Sequence, residues 1–322
     1  MLRRQLLLSS PLIALLPLAA RAQSYPDHAV KLIIGFPAGT GPDVVGRTLG
    51  LQLQEKLKQP VVVDNRAGAG GQIGALAVAK AAPDGYTLLL AEVGSISIAP
   101  AAYSKLPYDP VRELVPVAEV VRSDFVLVVP PQSPVKDVKG FIAAAKAHGD
   151  RVNFGTFGAG TPGHFGAEMF GEQGGFRIEP IHYRNTGDAI TALVAGDVQG
   201  AFVTTALAAP QIRAGKVRAL ATTAQARSGQ LPDVPTFSEA GWPKVDFSAW
   251  FALMAPAETP AATLDLLNRA ALDALQSPSV RRTLEEAGFT LTGTSRADSA
   301  RMLKAESGRW AAAVKASGFK AD

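Results

Sequence analysis

Residues 30–57 read VKLIIGFPAGTGPDVVGRTLGLQLQEKL. The apolar run at residues 30–36 predicts a β-strand, and the two glycines and two prolines of residues 37–42 predict a tight loop. Asp43 then begins a helical pattern. Its apolar residues recur at every fourth position, namely Val45, Leu49, Leu53 and Leu57. A strand, a glycine loop and a helix therefore follow one another directly, which is the basic unit of an α/β fold.

The same unit recurs along the chain. Residues 61–64 predict a second strand, which a glycine-rich loop and an alanine-rich helix connect to a third strand at residues 86–91. The unit starts again at residues 152–154, with a glycine loop at 155–163 and a helix at 164–172. Short strands that alternate with helices predict parallel sheets with helices packed on their faces.

Two places break this alternation and divide the chain. The apolar runs at residues 117–121 and 125–129 lie too close together for a crossover helix, so we expect a hinge near Ser123. A further apolar stretch at residues 247–254 precedes helix-rich sequence that is too short for a third domain. We therefore expect the chain to cross back and complete the first lobe. The expected divisions are a leader at 1–22, a first lobe at 23–123 and 248–322, and a second lobe at 124–247.

Composition agrees with two folded lobes and removes several classes of protein. The chain has 322 residues, of which 47% are hydrophobic, and this is enough for a core in each lobe and excludes intrinsic disorder. Because cysteine is absent, disulfides, thiolate metal sites and cysteine nucleophiles are excluded. The four histidines lack close ligand spacing, and no Gly-x-Ser-x-Gly motif occurs. We therefore expect no catalytic residue, no metal and no cofactor.

The first 22 residues have the features of an export signal. Arg3 and Arg4 precede an apolar run at residues 6–20, and Ala20-Arg21-Ala22 offers a small-x-small cleavage site. The run is interrupted by prolines and is shorter than the roughly 20 residues that a membrane-spanning helix needs. We expect cleavage after Ala22 and a periplasmic protein.

The charge of the mature chain disfavours a nucleic-acid partner. Three of the 32 lysines and arginines lie in the leader, which leaves 29 of them against 28 acidic residues. A nearly neutral chain has no electrostatic reason to prefer a polyanion. We therefore expect a small solute and no nucleic acid.

Three glycine-rich loops, at residues 39–43, 68–74 and 155–163, are the candidate binding sites. A loop that enters a helix presents unpaired N–H groups beside the partial positive charge of the helix start, and glycine lets a ligand approach closely. Facing loops from two lobes would enclose one anion. Residues 158–163 also fit the Gly-x-Gly-x-x-Gly motif of dinucleotide-binding folds. An exported or dinucleotide-binding α/β enzyme therefore stays open as the alternative to a solute receptor.

Asp43 and His164 each permit two interpretations. Asp43 could bind a ligand amine, or it could cap the helix that begins there. His164 stands just inside a helix after a glycine loop, where it could donate to an anion or pack against the helix start.

Several longer motifs resemble one family. They follow one another from about residue 25 to the C-terminal helices and are FPAGTGPD at 36–43, NRAGAGGQIG at 65–74, PDGYTLL at 83–89, LPYDP at 106–110, VPTFSEAG at 234–241 and APAETP at 255–260. In these motifs the chain resembles the Bug receptors, which are the extracytoplasmic solute-binding proteins of tripartite tricarboxylate transporters.

The resemblance implies a two-lobe periplasmic binding protein of the Venus flytrap, type II-like class, with two hinge crossovers. Its lobes would close on a small carboxylate, held by main-chain amides and bridging water more than by arginine. It also implies a monomeric receptor without enzymatic activity and a membrane permease as partner. The residues that it places at the ligand are Phe36, Ala38, Gly39, Thr40, Gly41, Asp43, Gly94, Ser95, Gly158, Ala159, Gly160, Thr161, His164, Val203 and Thr204.

Three positions depart from the residues that are usual in the family. Thr40 stands where a second glycine is usual, and Gln199 and Val203 stand where many members have aspartate. The loss of an acidic side chain near the cleft argues against an amino acid, whose ammonium group would need a partner. We therefore expect a carboxylate without an amino group.

Overall fold

A computed structural model of the chain describes residues 25–147, 149, 151–156, 158–183 and 186–321. The export signal expected at residues 1–22 and its cleavage site lie outside these residues. The strands are β1 (Val30–Ile34), β2 (Val61–Asn65), β3 (Thr87–Glu92), β4 (Leu114–Val129), β5 (Arg151–Thr156), β6 (Arg177–His182), β7 (Gly200–Thr204), β8 (Arg218–Thr222), β9 (Ser248–Pro256) and β10 (Thr290–Leu291).

The helices are α1 (Gly41–Leu57), α2 (Gln72–Ala79), α3 (Ala99–Ala102), α4 (Pro110–Glu113), α5 (Val138–Ala147), α6 (Pro162–Gly174), α7 (Thr186–Ala195), α8 (Thr205–Arg213), α9 (Ala261–Leu275), α10 (Pro278–Glu286) and α11 (Arg296–Ser317). A 3₁₀ turn at Ala69–Gly71 precedes α2, and a π-helical turn at Gly94–Ile98 follows β3.

The first unit of strand, loop and helix forms as the sequence predicts. The four apolar residues of β1 are buried and Lys31 is exposed. The predicted apolar stripe of α1 is buried along its whole length. A Cβ atom on Gly46 would lie 2.3 Å from Cδ1 of Ile34, so α1 packs directly on β1. The helix begins at Gly41, two residues before the predicted start, because Pro42 needs no N–H partner in a first turn.

One continuous sheet has the strand order β2-β1-β3-β9-β4-β7-β5-β6. In its first half β1, β2 and β3 are parallel, and β9 is antiparallel to β3 and β4. In its second half β5 is parallel to β6 and β7, and β8 pairs with β4. The carboxyl ends of parallel strands meet at one edge, so each half has one edge from which its loops enter helices.

The two apolar runs near the expected hinge form a single continuous strand, β4. β4 pairs with β9 from Leu114 to Asp124, and with β7 and β8 from Phe125 to Val129. No glycine or proline separates the two runs, so nothing interrupts the extended backbone at Ser123. β4 therefore belongs to both halves of the sheet.

The interior is apolar in both halves. Trp250 and Trp310 are fully buried. On the second-lobe side, aromatic rings pack in a chain in which Phe154, Phe170 and Phe202 have centroids 5.5–5.9 Å apart. This packing holds α6 against β5 and β7, and so sets the position of the loop that precedes α6.

Candidate functional site

The first loop, residues 36–43, joins the carboxyl end of β1 to the start of α1. Gly39 has a φ of +80°, in the left-handed region that favours glycine. Thr40 is the N-cap residue of α1, and its hydroxyl donates to the carbonyl of Pro37 at 2.7 Å. Within the described residues, the amides of Ala38, Gly41 and Asp43 donate no hydrogen bond. These free N–H groups lie at the positive end of a 17-residue helix, which suits an anion.

Asp43 braces the first loop from inside. Its carboxylate accepts hydrogen bonds from the Gly39 amide at 2.9 Å, from Nε of Arg47 at 2.9 Å and from Nδ2 of Asn65 at 3.0 Å. The hydrogen bond from Arg47 is the main cause that holds the pKa of Asp43 below its usual range. Asn65 also donates to the carbonyl of Phe36 at 3.0 Å.

Neither interpretation of Asp43 therefore describes the structure. The carboxylate is buried and its oxygens already accept three donors, so it is not available to a ligand amine. It does not cap α1 either, because the N-cap residue is Thr40. Asp43 instead fixes the loop shape that leaves the neighbouring amides free.

The loop before α2 and the turn after β3 lie against the first loop. A Cβ atom on Gly35 would lie 2.6 Å from Cα of Gly71, so these backbones touch. A Cβ atom on Gly71 would lie 3.3 Å from the ring of Phe36 and 3.6 Å from Cβ of Ser95. The structure therefore brings Phe36 and Ser95 together, on either side of Gly71.

The Gly94 amide and the Ser95 hydroxyl both donate to Glu92. The Gly94 amide donates to Oε2 of Glu92 at 2.8 Å, and the Ser95 hydroxyl donates to the Glu92 carbonyl at 3.1 Å. Ser95 is only 2% exposed. Burial raises the pKa of Glu92 to about 7. Glu92, the one acidic residue of an otherwise apolar strand end, was not among the residues predicted to bind the carboxylate.

The second loop, residues 155–163, joins the carboxyl end of β5 to the start of α6. Gly158 and Gly160 have φ values of +119° and +75°. Thr161 is the N-cap residue of α6, with its hydroxyl accepting from the His164 amide and donating to the Gly158 carbonyl. The amides of Gly158, Ala159 and Thr161 donate no hydrogen bond to any described residue. A second set of free N–H groups therefore lies at a helix start.

His164 supports the second loop from behind. The residue is 3% exposed, and its Nδ1 accepts a hydrogen bond from the Gly160 amide at 3.2 Å. Burial, with a smaller contribution from His182, lowers its pKa to about 4. The imidazole is therefore neutral at pH 7. Of the two interpretations, the structure favours packing at the helix start over donation to an anion.

Val203 and Thr204 end β7. The Val203 side chain is fully buried in the second-lobe core, where Val203 pairs with Val126 of β4. It cannot contact a ligand, so only the main chain of Val203 remains a candidate. Thr204 is half-buried and precedes α8.

The C-terminal segment connects the second loop to the turn after β3. Phe319 lies with its ring centroid 5.3 Å from that of His164, and a Cβ atom on Gly160 would lie 3.5 Å from the Phe319 ring. Two residues later, the Ala321 amide donates to the carbonyl of Ala102 in α3. α3 follows directly on the turn that contains Ser95.

A cavity of about 1030 Å³ lies elsewhere, beside the strands that cross between the lobes. Its lining includes Arg122, Asp124 and Ser248, together with Thr290 of β10. None of the predicted site residues lines it, so this cavity does not mark the site assembled by the glycine loops. Neither a cluster of side chains suited to a metal ion nor a helix long and apolar enough to cross a membrane occurs among the described residues.

The chain matches known proteins over most of its length. The model of the tripartite tricarboxylate transporter family receptor matches residues 45–319. Protein BugT of Bordetella pertussis is 37% identical over 300 residues, which cover 93% of this chain and 92% of BugT.

Two solved structures are similar to this one over nearly their whole length. MatC of Rhodopseudomonas palustris, with bound malate, is 31% identical, with a TM-score of 0.75 and coverage of 90% of this chain and 100% of MatC. A second R. palustris protein, with adipate, is 31% identical, with a TM-score of 0.79 and coverage of 92% of this chain and 99% of that protein. These matches confirm the predicted two-lobe periplasmic binding protein fold. The chain therefore belongs to the family of tripartite tricarboxylate transporter receptors.

Proposed function

We propose that this protein is a receptor that captures a small organic carboxylate between its two lobes, outside the cytoplasm. The observation that carries the proposal is the pair of glycine loops. Each loop follows a strand, leads into a helix and has three amides that donate to no described residue. Oriented amides at helix starts bind carboxylates without a cationic side chain.

The ligands of two similar proteins support this class of solute. MatC binds malate and the second R. palustris protein binds adipate, and both ligands are small organic acids. For the present chain we propose such an acid, held by the residues of the first and second loops that keep free amides. Asp43, Thr161 and His164 would act as positioning residues that keep each loop in shape.

Closure of the lobes would couple binding to transport. Only a closed state lets the amides of both loops donate to one ligand, so the ligand shifts the population from open to closed. We place the lobes at residues 23–123 with 248–322 and at residues 124–247. The change of partner along β4 at residues 124–125 and the start of β9 at Ser248 support these boundaries. A cognate permease would then receive the ligand from a monomeric, non-catalytic receptor after its leader is removed at Ala22.

Mass spectrometry of the ligand released from freshly purified protein tests the function. We expect an intact organic acid, and isothermal titration against a panel of carboxylates should reproduce its binding. Release of a nucleotide would instead support the dinucleotide-binding alternative, and turnover of an added acid would support an exported enzyme. Failure of every carboxylate to bind would contradict the proposal.

A further inference from the structure

Glu92 is a carboxyl group at the edge of the sheet where the first loop begins. β1 and β3 are parallel, and their register pairs Ile34 with Leu90. If this register is continued by two residues in both chains, Glu92 lies level with Phe36, the first residue of the loop. Glu92 therefore lies at the same edge of the sheet as the start of the first loop.

The position of the Glu92 carboxyl follows from its contacts. Its Oε2 accepts from the Gly94 amide at 2.8 Å. A Cβ atom on Gly94 would lie 2.8 Å from that oxygen and 3.8 Å from the carbonyl oxygen of Gly70. Gly70 precedes Gly71, which contacts both Phe36 and Ser95. The carboxyl thus lies among the same backbone segments that form the first-lobe side of the site.

Glu92 lacks the partners that the other shielded carboxyls have. Asp43 accepts from Arg47 and Asn65, and Glu119 is paired with Arg122. Among the described residues, the Gly94 amide is the only donor to the Glu92 carboxyl, and no cationic side chain pairs with it. A half-buried carboxylate with one donor is incompletely solvated, and it gains most from a further donor.

We propose that Glu92 is a specificity-determining residue: besides its carboxylate, the ligand carries a hydrogen-bond donor, a hydroxyl or an ammonium group, which the Glu92 carboxylate accepts. This inference rests on the proposed carboxylate-receptor function and narrows its ligand class. An acid that places a second carboxylate at this position, without a donor, would meet like charge. Gln199 and Val203 stand where many family members have aspartate, and this loss of acidic side chains argued against an amino-acid ligand. Glu92 supplies an acidic group at another position.

Two matched series of acids test the inference on the wild-type protein by titration calorimetry. The first is succinate, malate and aspartate, and the second is glutarate, 2-hydroxyglutarate and glutamate. Within each series the chain length is constant, and only the donor changes from none to hydroxyl to ammonium. The measurements are made at pH 8, where a carboxyl with a pKa of about 7 is mostly ionised.

We expect a donor-bearing acid to bind at least about tenfold more tightly than the donor-free acid of its series, as for a hydrogen bond to a charged group. The hydroxyl and ammonium members then show which donor the site accepts. Equal affinity for all members of a series would overturn the inference and leave the carboxylate receptor intact. Failure of all six acids to bind would overturn both.

Glu92→Gln provides the second measurement. The amide oxygen can keep the bond from Gly94, and the amide nitrogen then presents a donor where the carboxylate presented an acceptor. We expect the preference within a series to fall to about threefold or less, with the donor-free acid bound at least as tightly as by the wild type. Glu55→Gln, on the exposed face near the other end of α1, is the control and should keep the wild-type preference. An unchanged preference in a folded Glu92→Gln protein would overturn the inference.

Discussion

At the residue scale, the second loop depends on Gly160. Its φ of +75° is strained for any side chain with a Cβ atom, and a Cβ atom there would lie 3.5 Å from the Phe319 ring. We expect Gly160→Val to cost about 1–2 kcal/mol of stability and to weaken binding of the acid at least tenfold, because the loop amides turn away from the ligand. Thermal melting and titration calorimetry measure the two effects.

Gly215→Val is the matched control for this substitution. Gly215 has a φ of +66°, and a Cβ atom there would meet no atom within 4 Å. The backbone penalty is therefore similar, but the residue lies between α8 and β8, outside both loops. The control should lose stability and keep its affinity. Unchanged affinity of the Gly160 variant would show that the second loop does not hold the ligand.

Side-chain roles at the site were less predictable than main-chain ones. The sequence predicted three glycine-rich loops, and each leads from a strand to a helix in the structure, because glycine permits the tight turns that such connections need. It could not show that Asp43 turns inward to Gly39, Arg47 and Asn65, since those partners come together only in the folded chain. Glu92 was missed because a single acidic residue at a strand end carries no periodic signal.

At the scale of elements, the sequence predicted those strands and helices whose hydrophobic pattern is clear. β1 is a short apolar run and α1 has apolar residues at every fourth position, and both formed close to their expected bounds. β7 is different, because its first four residues are all buried. Its residues do not alternate between polar and apolar, so the sequence does not show on which face of the sheet each side chain lies. The orientation of Val203 was therefore unpredictable from the sequence. In the sequence, β4 consists of two apolar runs with a polar interruption, and this pattern does not show that the runs form one strand that changes partners midway.

The neutral His164 of α6 accepts a hydrogen bond from Gly160 of the second loop, and its protonation makes the stability of the protein depend on pH. Folding lowers the pKa of His164 from 6.5 to about 4, so the native state binds fewer protons than the unfolded chain between these values. The contribution of the neutral His164 to the free energy of unfolding is complete above pH 6.5 and falls as the pH decreases towards 4. At pH 5 the loss is about 2 kcal/mol relative to pH 7.5.

Urea unfolding of the wild type and of His164→Gln at pH 7.5 and pH 5 measures this contribution. We expect the stability advantage of the wild type over the variant to shrink by about 2 kcal/mol at the lower pH. The comparison between the two proteins removes groups that titrate in both, Glu92 and His182 among them. Met169→Leu, on the same helix, is the control and should keep the wild-type pH dependence. An advantage that stays constant with pH would contradict a buried, neutral His164.

At the scale of the whole molecule, Phe319 links the two lobes. The residue follows α11, which packs against β4, the turn after β3 and α6, and its ring contacts His164 and Phe165 of α6. We expect this contact to stabilise the closed state. Aromatic contacts of this kind contribute about 0.5–1.5 kcal/mol, so Phe319→Ala should weaken binding of the acid roughly 2- to 12-fold.

Calorimetry and small-angle X-ray scattering test this expectation together. The wild type should become more compact when the acid is added, and the variant should need a higher acid concentration for the same change. Val111→Ala, which truncates an exposed apolar residue in α4, is the control and should behave as the wild type. Equal affinity of the Phe319 variant and the wild type would show that the ring contact is present in both open and closed states.

The place of β9 in the sheet has a consequence for biosynthesis. β9 lies between β3 and β4, yet the whole sequence of the second lobe is translated between β4 and β9. During synthesis from the N-terminus, the facing edges of β3 and β4 have no partner until residues 248–256 emerge. Unpaired strand edges promote aggregation. The part of the sheet whose translation begins first is thus completed late, and its unpaired edges must be protected from wrong pairing until β9 has been made.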